Sequence, residues 1–251
     1  MISGILFDKD GTLFDFQVSW SGWARAFLGE LAGGDDREAA RLGALIGYDW
    51  ETSGFHPDSH LISGTDEDTV TALLPEIPGA TPESLRSRIS LAAATAPMAE
   101  AVPLVPFLAA LKARGLRIGV ATNDSEYSAR AHLEQAGILE QFDFVAGADS
   151  GFGPKPGPGM CLAFAEAMGL PPAEVLMVGD SLHDLHAGAA AGMRTLGVLT
   201  GLAEAHVLAP HADVVLPDIG ALLDRLDSAN RLDASGRDDK ATQTESDSVA
   251  I

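Results

Sequence analysis

Four short apolar runs in this chain each lead to side chains that could bind a phosphate group or a divalent cation. The runs ISGILF and VLMVG end at Asp8 and Asp180, and LRIGVA runs into Thr122 and Asn123. A fourth run, FDFVAG, leads into a loop rich in glycine and proline that carries Lys155. The carboxyl ends of strands in an open parallel sheet converge on one crevice, where ligands bind. We therefore expect these side chains to share one site, and their chemistry suits the movement of a phosphoryl group through an aspartyl ester.

The most specific of these segments is DKDGT, in which Asp8 and Asp10 are separated by one residue. Once the chain leaves the pleat of a strand, both carboxylates can face the crevice. One can attack phosphorus, while the other gives a proton to the leaving oxygen and later takes one from water. Gly11 allows a sharp turn, and the Thr12 hydroxyl can hold that turn. The competing interpretation is a solvated Asp-Gly turn, which is common in proteins.

The elements that would position these groups alternate along the second half of the chain. Apolar helical segments end at glycines, and each glycine precedes a strand-like run, ending with ADVVL and a helix near Ile219 to Leu226. This rhythm predicts an α/β fold, a Rossmann-like parallel sheet with helices on both faces. Between the first strand and this part the pattern is helical. We therefore predict a catalytic core at 1–15 and 98–227, an inserted all-helical cap at 16–97, and a disordered tail at 228–251.

Composition narrows the class of partner. A formal net charge of −20 and a pI of about 4.5 argue against binding nucleic acid or anionic membranes. A single cysteine, Cys161, fits a reducing compartment and lies in a helical apolar pattern, as a buried small hydrophobe would. The first apolar stretch lacks a basic region and soon meets Asp8, so we expect no secretory signal and a cytoplasmic protein.

The chain resembles the haloacid dehalogenase-like phosphatase superfamily in four motifs that occur in the family's order and spacing. DKDGT matches the first motif, GVATN the second at Thr122, GPKPGP the third at Lys155, and GDSLHD the fourth at Asp180 and Asp184. The resemblance covers roughly residues 1 to 220. It implies a Rossmann-like core and Mg²⁺-dependent phosphatase chemistry with Asp8 as nucleophile and Asp10 as acid–base.

Three further residues are candidates for holding the phosphoryl group. Thr122 and Asn123 can offer a hydroxyl and a backbone amide near a helix start, although a Thr-Asn-Asp helix cap explains the same letters. Lys155, between Pro154 and Pro156, lies on a stiff backbone that fixes where its ammonium points. We expect this ammonium to offset phosphate charge.

Asp180 is the candidate metal ligand that follows the last strand of the four. With the Asp8 carboxylate and the Asp10 carbonyl, it would give Mg²⁺ part of an octahedron, completed by water and phosphate. Asp184, four residues further on the same helix face, is expected to orient Lys155 or a metal-bound water, or to act as a first-turn helix acid. His183 and His186 lack a recognised zinc spacing.

The insertion resembles the helical cap of phosphoglycolate phosphatase-like members and is expected to supply specificity. Its least helical stretch is GYDWETSGFHPDSH, so the polar residues His56, Asp58 and His60 are candidates to meet the substrate, together with Arg86. Ordinary surface positions are the alternative for each of them. We expect its three tryptophans to form the cap core (Trp20, Trp23 and Trp50).

These observations predict a Mg²⁺-dependent phosphatase for a small phosphate monoester, with 2-phosphoglycolate first because of the resemblance. The same scaffold serves sugar phosphatases, nucleotide phosphatases and phosphomutases, and Thr12 favours a phosphatase over the sugar mutases. A non-catalytic phosphate-sensing protein would be expected to lack one of Asp8, Asp10 or Lys155. Dehalogenase chemistry would need neither Mg²⁺ nor Asp10.

Overall fold

The computed structural model describes residues 2–56, 59 and 64–228. The strands are Gly4–Phe7 (β1), Tyr48–Asp49 (β2), Gly54–Phe55 (β3), Arg117–Ala121 (β4), Phe144–Ala146 (β5), Val175–Gly179 (β6), Arg194–Val198 (β7) and Val214–Leu216 (β8). The helices are Phe16–Leu31 (α1), Asp36–Leu45 (α2), Asp66–Leu73 (α3), Pro82–Ala93 (α4), Leu104–Ala113 (α5), Glu126–Gln135 (α6), Gly159–Met168 (α7), Leu182–Ala190 (α8) and Ala205–Leu208 (α9). A further helix occupies 221–228.

Six strands form one parallel sheet in the order β5-β4-β1-β6-β7-β8. Successive residues of β1 face opposite layers, because side chains alternate along a strand. Ile5 and Phe7 join a hydrophobic cluster with α5, whereas Leu6 joins one with α7. The parallel α/β sheet covered by helices on both faces is confirmed.

The predicted helix starts and stops follow from cap chemistry. The Asp35 carboxylate accepts hydrogen bonds from the backbone amides of Arg37 and Glu38 and begins α2. Thr65 caps the start of α3 with a capping box, and Thr81 caps the start of α4, whose first residue is a proline. Gly169 ends α7 at φ 66°, in the left-handed region that favours glycine.

Residues 16–97, here named the cap, have a hydrophobic cluster of their own that runs from Phe16 to Ala96. The cap is not all-helical as predicted, since β2 and β3 pair as a short antiparallel hairpin. Its turn is closed by the Asp49 carboxylate, which accepts from the amides of Glu51 and Thr52. Such a two-residue strand is too short to show the alternation on which strand prediction relies.

The two connections between core and cap run side by side. The Asp15 amide donates to the Ala99 carbonyl at 2.9 Å, and the Ala101 amide donates to the Leu13 carbonyl at 2.9 Å. The cap therefore enters and leaves the core at one place. Within the described part of the chain, no helix combines the length and apolarity needed to cross a bilayer.

Candidate active site

Asp8 and Asp180 lie side by side at the carboxyl ends of two paired strands. Phe7 of β1 pairs with Val178 of β6, so the residues that follow each strand emerge at one edge. Asp8 and Asp180 are 6% and 2% exposed, which takes both carboxylates largely out of water. The strand on the other side of β1 is β4, which leads to Thr122. From β1 the sheet continues to β4 on one side, and from β6 it continues to β7 on the other. Open α/β sheets form their binding crevice at such a point.

Lys155 connects the acids of this crevice. Its Nζ donates to Asp8 Oδ1 at 2.5 Å, to Asp184 Oδ1 at 2.6 Å and to the Ala121 carbonyl at 2.8 Å. The side chain is buried, so these three contacts use all the hydrogens of the ammonium. A lysine held this way places a positive charge beside one oxygen of the Asp8 carboxylate.

The Asn123 side chain fixes the lysine loop. Its Oδ1 accepts from the Lys155 amide at 2.8 Å, and its Nδ2 donates to the Lys155 carbonyl at 2.9 Å. This position was predicted to contact phosphate through its backbone amide, and the positioning work of its side chain was not foreseen. Thr122 is 2% exposed, and its Oγ1 accepts from the Asp124 amide at 3.1 Å. That bond leaves the hydroxyl hydrogen of Thr122 available to donate.

Burial sets the electrostatics of the cluster. It raises the pKa of Asp8 to about 7; Lys155 opposes the shift, whereas Asp184 and Asp10 add to it. Burial also raises the pKa of Asp180 well above its usual value, and repulsion from Asp184 adds to it. For Lys155, burial lowers the pKa, but the attraction of Asp184 and Asp8 outweighs it and the net shift is upward. Asp8, Asp180 and Asp184 therefore outnumber the one ammonium, Lys155, that contacts this group of acids, and the group favours a second cation.

The surroundings of Asp180 fit a hard divalent cation. Gly11, at φ +85°, and Gly201 both lie against the Asp180 carboxylate. A Cβ on Gly11 would fall 2.4 Å from Asp180 Oδ2, and a Cβ on Gly201 would fall 1.7 Å from it. This same oxygen is buried and has no hydrogen-bond partner among the described residues. Carboxylate oxygens of Asp8, Asp180 and Asp184 lie within 4.8 Å of one another. Oxygen ligands at this spacing suit Mg²⁺.

Asp184 is the least available of these three acids. One of its oxygens accepts from Lys155, and the other accepts from the Ser181 amide at 3.0 Å and the Ser181 hydroxyl at 2.7 Å. It is both a lysine partner and the first-turn acid of α8, so both readings of the sequence describe real contacts. A cation is therefore better served by Asp8 and Asp180.

Asp10 lies in a network that sequence reasoning missed. Its Oδ1 accepts from Trp20 Nε1 of the cap at 2.9 Å, and its Oδ2 lies 2.6 Å from the Lys9 ammonium. Lys9 is fully buried and also contacts Asp124 at 3.1 Å and His132 Nδ1 at 3.0 Å. Because a buried ammonium needs charged partners, Lys9 is a structural part of the site and not a spacer between two aspartates.

A cavity with about 640 Å³ of empty space, including space open to solvent, extends from this cluster to the cap. Its core side is lined by Asp8, Asp10, Thr122, Asn123, Asp124, Lys155, Ser181, His183 and Asp184. Its cap side is lined by Trp20, Trp23, Gly64, Thr65, Asp66, Thr69, Ile89 and Ala93. Both tryptophans were predicted to form cap core, and they do, yet they also line the cavity.

Two of the predicted specificity residues, Arg86 and His56, are not part of this lining. Arg86 is exposed and forms an ion pair with Glu67 on the surface of the cap, because both lie on helices whose other faces fill the cap core. His56 is exposed after the hairpin and does not line the cavity. Asp58 and His60 lie outside the described residues. Among the described residues, the start of α3 lines the cavity, and the sequence indicated its acidic first turn only as a helix start.

Comparison with known proteins agrees with this architecture. The model of the haloacid dehalogenase-like hydrolase family matches residues 2–192. The chain is 35% identical over 202 residues to the probable phosphatase IndB of Dickeya dadantii (strain 3937). The aligned stretch covers 79% of this chain and 81% of that protein.

One more relative and one solved structure are similar over different extents. The phosphoglycolate phosphatase of Neisseria gonorrhoeae (strain ATCC 700825 / FA 1090) is 38% identical over 117 residues, which is 46% of this chain and 49% of that protein. The chain therefore spans about half the length of this relative. A crystal structure of a haloacid dehalogenase-like hydrolase from Bacteroides fragilis superimposes with a TM-score of 0.67 at 24% identity, over 88% of this chain and 100% of that one.

Proposed function

The chain belongs to the haloacid dehalogenase-like hydrolase family, and we propose that it is a phosphatase that hydrolyses a small phosphate monoester through an aspartyl phosphate on Asp8. One observation carries the proposal. The buried Asp8 carboxylate contacts the buried Lys155 ammonium at the carboxyl ends of the strands, and a second carboxylate, Asp10, follows two residues later. Nucleophile, charge partner and acid–base candidate thus meet in one cavity.

In the first step, an oxygen of the Asp8 carboxylate attacks phosphorus, and the bond from phosphorus to the alcohol oxygen breaks. Asp10 gives its proton to that departing oxygen. Asp10 then takes a proton from a water molecule whose oxygen attacks phosphorus, the bond to Asp8 breaks, and inorganic phosphate leaves. Lys155 offsets the charge on the phosphoryl oxygens throughout, and the Thr122 hydroxyl donates to one of them.

The metal that this family implies fits the residues present, as the unpartnered Asp180 Oδ2 indicates. The Asp8 and Asp180 carboxylates and the Asp10 carbonyl would hold Mg²⁺. Bound there, the ion would supply positive charge against the phosphoryl oxygens and keep Asp8 ionised. Asn123 keeps the lysine loop in place, and Asp184 keeps the ammonium directed at Asp8.

Divalent metal should be required for turnover and should stabilise the folded chain. With EDTA, hydrolysis of p-nitrophenyl phosphate should stop, and Mg²⁺ should restore it. At 100 times its Kd, Mg²⁺ should add about 2.7 kcal/mol to the free energy of unfolding. Burial raises the pKa of Asp8 from 3.8 to about 7, so between these pH values the folded state binds the Asp8 proton more tightly than the unfolded state does. The metal-free fold therefore loses stability as the pH rises from 3.8 to about 7. The melting shift caused by Mg²⁺ should therefore grow over the same range.

The variant Asp180→Asn tests the metal site directly. It should lose the melting shift and the turnover, while its metal-free form stays at least as stable as the wild type, because the amide removes a buried charge. Asp224→Asn, the same change at an exposed position in the helix at 221–228, should keep both effects. A normal Mg²⁺ shift in Asp180→Asn would contradict the assignment.

Asp10→Asn should separate acid–base work from nucleophilic attack. For an alkyl phosphate, turnover should fall about 10²–10⁴-fold, since no group remains to protonate the alkoxide. For p-nitrophenyl phosphate the loss should be smaller, because nitrophenolate leaves without a proton. The measurement is kcat for both esters in both proteins, and equal losses would contradict the role given to Asp10.

Sequence resemblance puts 2-phosphoglycolate first among substrates, and a phosphoglycolate phosphatase is among the relatives. Phosphate monoesters share the group that Asp8, Lys155 and Thr122 recognise. The alcohol must be recognised by the remaining lining of the cavity, which is mostly from the cap.

A further inference from the structure

The cap side of the cavity carries no basic side chain among its described residues. On the core side, Lys155 already contacts Asp8 and Asp184, and the Lys9 ammonium behind the lining is bound by Asp10 and Asp124. In contrast, the described lining includes five carboxylates: Asp8, Asp10, Asp66, Asp124 and Asp184. His183 also lines the core side, but burial lowers its pKa, so the described lining offers no uncommitted cationic side chain to a second negative charge at the alcohol end of a substrate.

Asp66 is the acid that the cap contributes. It is part-buried at the first turn of α3, and Ser90 Oγ donates to its Oδ2 at 2.7 Å. Burial raises the pKa of Asp66 to about 6, and repulsion from Asp124 adds to this shift. The Asp66 and Asp124 carboxylates therefore repel each other within the same cavity lining, and a substrate carboxylate placed near them would add to this repulsion. A carboxylate has about four acceptor positions, so Asp66 can still accept from a hydroxyl.

Trp23 contributes a donor that nothing in the described chain satisfies. The residue is 5% exposed and lines the cavity, and its Nε1 is buried with no hydrogen-bond partner among the described residues. The neighbouring indole, Trp20, has its N–H bound by Asp10. Because a buried N–H without a partner is costly, a ligand atom that accepts from Trp23 would be favoured.

We propose that the alcohol released by this enzyme is neutral and hydroxylated, with hydroxyl groups that accept from the Trp23 indole and donate to Asp66. A hydroxyl can do either. A carboxylate offers no donor and meets repulsion, whereas an ammonium offers no acceptor to Trp23. This inference rests on the proposed phosphatase function, names its substrate class, and departs from 2-phosphoglycolate, which the sequence resemblance alone puts first.

Two matched pairs of esters isolate the group in question. 2-Hydroxyethyl phosphate differs from 2-phosphoglycolate, and glycerol 3-phosphate from 3-phosphoglycerate, by a hydroxymethyl group in place of a carboxylate. At pH 7.5 with Mg²⁺, kcat/KM of the full-length wild type should be at least about tenfold higher for the hydroxylated member of each pair. p-Nitrophenyl phosphate, assayed in parallel, reports the phosphatase function itself.

Variants assign the preference to its two residues. Asp66→Asn should reduce the preference about tenfold, chiefly by admitting the carboxylate esters better. Trp23→Phe keeps an aromatic ring and removes the indole N–H, so it should lower kcat/KM for the hydroxylated esters about tenfold relative to their carboxylate partners. Glu67→Gln removes the same charge one residue along α3, outside the lining, and should leave the ratios unchanged.

The outcomes separate the two hypotheses. A carboxylate preference, or a tenfold preference for phosphoethanolamine over 2-hydroxyethyl phosphate, would overturn the substrate class while p-nitrophenyl phosphate turnover upheld the phosphatase. If no ester were hydrolysed, the function would fail, and the Kd values of both pairs on Mg²⁺-loaded Asp8→Asn would still decide the inference. Equal Kd values within each pair, or no binding of either pair, would overturn it.

Discussion

Replacing Asp8 with Asn should reduce turnover of every phosphate monoester by at least about 10⁴-fold, the scale on which nucleophile variants lose activity. The amide is nearly the same shape, so it fills the same buried position, but it cannot form the phosphoenzyme. Melting should show a folded protein, since the change removes a carboxylate whose pKa burial raises. The measurement is kcat with p-nitrophenyl phosphate under saturating Mg²⁺.

Asp224→Asn serves as the matched control and should retain wild-type kcat. In wild type, a pre-steady-state burst followed by acid quench should trap phosphate on the protein, and Asp8→Asn should trap none. Residual activity within about a hundredfold of wild type would argue for direct attack by water and against the covalent route.

Lys155→Met should be the most damaging single change to fold and activity together. The methionine side chain fits a similar volume, but it leaves Asp8 and Asp184 buried without their common cation. Breaking a buried ion pair by removing one partner costs about 3–5 kcal/mol of unfolding free energy. Turnover should fall a further 10²–10³-fold or so in protein that remains folded, because the phosphoryl charge is no longer offset.

The double variant Lys155→Met with Asp184→Asn separates these effects. Removing the second charge should recover much of the lost melting temperature, since fewer carboxylates remain unpaired. It should recover none of the turnover, because the ammonium beside Asp8 is still missing. Denaturant unfolding and kcat on both variants, without and with Mg²⁺, make the comparison; recovery of activity would show that Lys155 acts only on stability.

The core could be predicted closely because its signals are local. Apolar runs, glycine caps and capping residues lie within a few positions of one another, and the four strand ends follow from parallel pairing. Asp8 and Asp180 lie together because β1 and β6 are neighbours in the sheet. The alternation of strands and helices is compatible with this strand order, but it does not determine it.

What escaped prediction depends on contacts between distant elements. Lys9 reads as a spacer in DKDGT, yet its partner His132 lies on α6, and the His132 Nε2 in turn contacts the Ala93 carbonyl at the end of α4. Arg86 reads as a cationic candidate for substrate contact, but the surface pairing with Glu67 is decided by how α3 packs on α4. Helix packing angles cannot be read from either segment alone.

The paired connections at Asp15–Ala99 and Leu13–Ala101 have a consequence for how such a protein can diversify. A segment whose two ends are hydrogen-bonded neighbours can be exchanged for another, or for a short turn, with little change in the entropy of closing the chain. The sheet, Asp8 and Asp180 would keep their geometry through such an exchange, while Asp10 would lose its bond from Trp20 and the cap side of the cavity would change. Under the proposed function, reaction chemistry and substrate choice would then be encoded in separable stretches of one gene, and we expect a graft at these two junctions to change specificity.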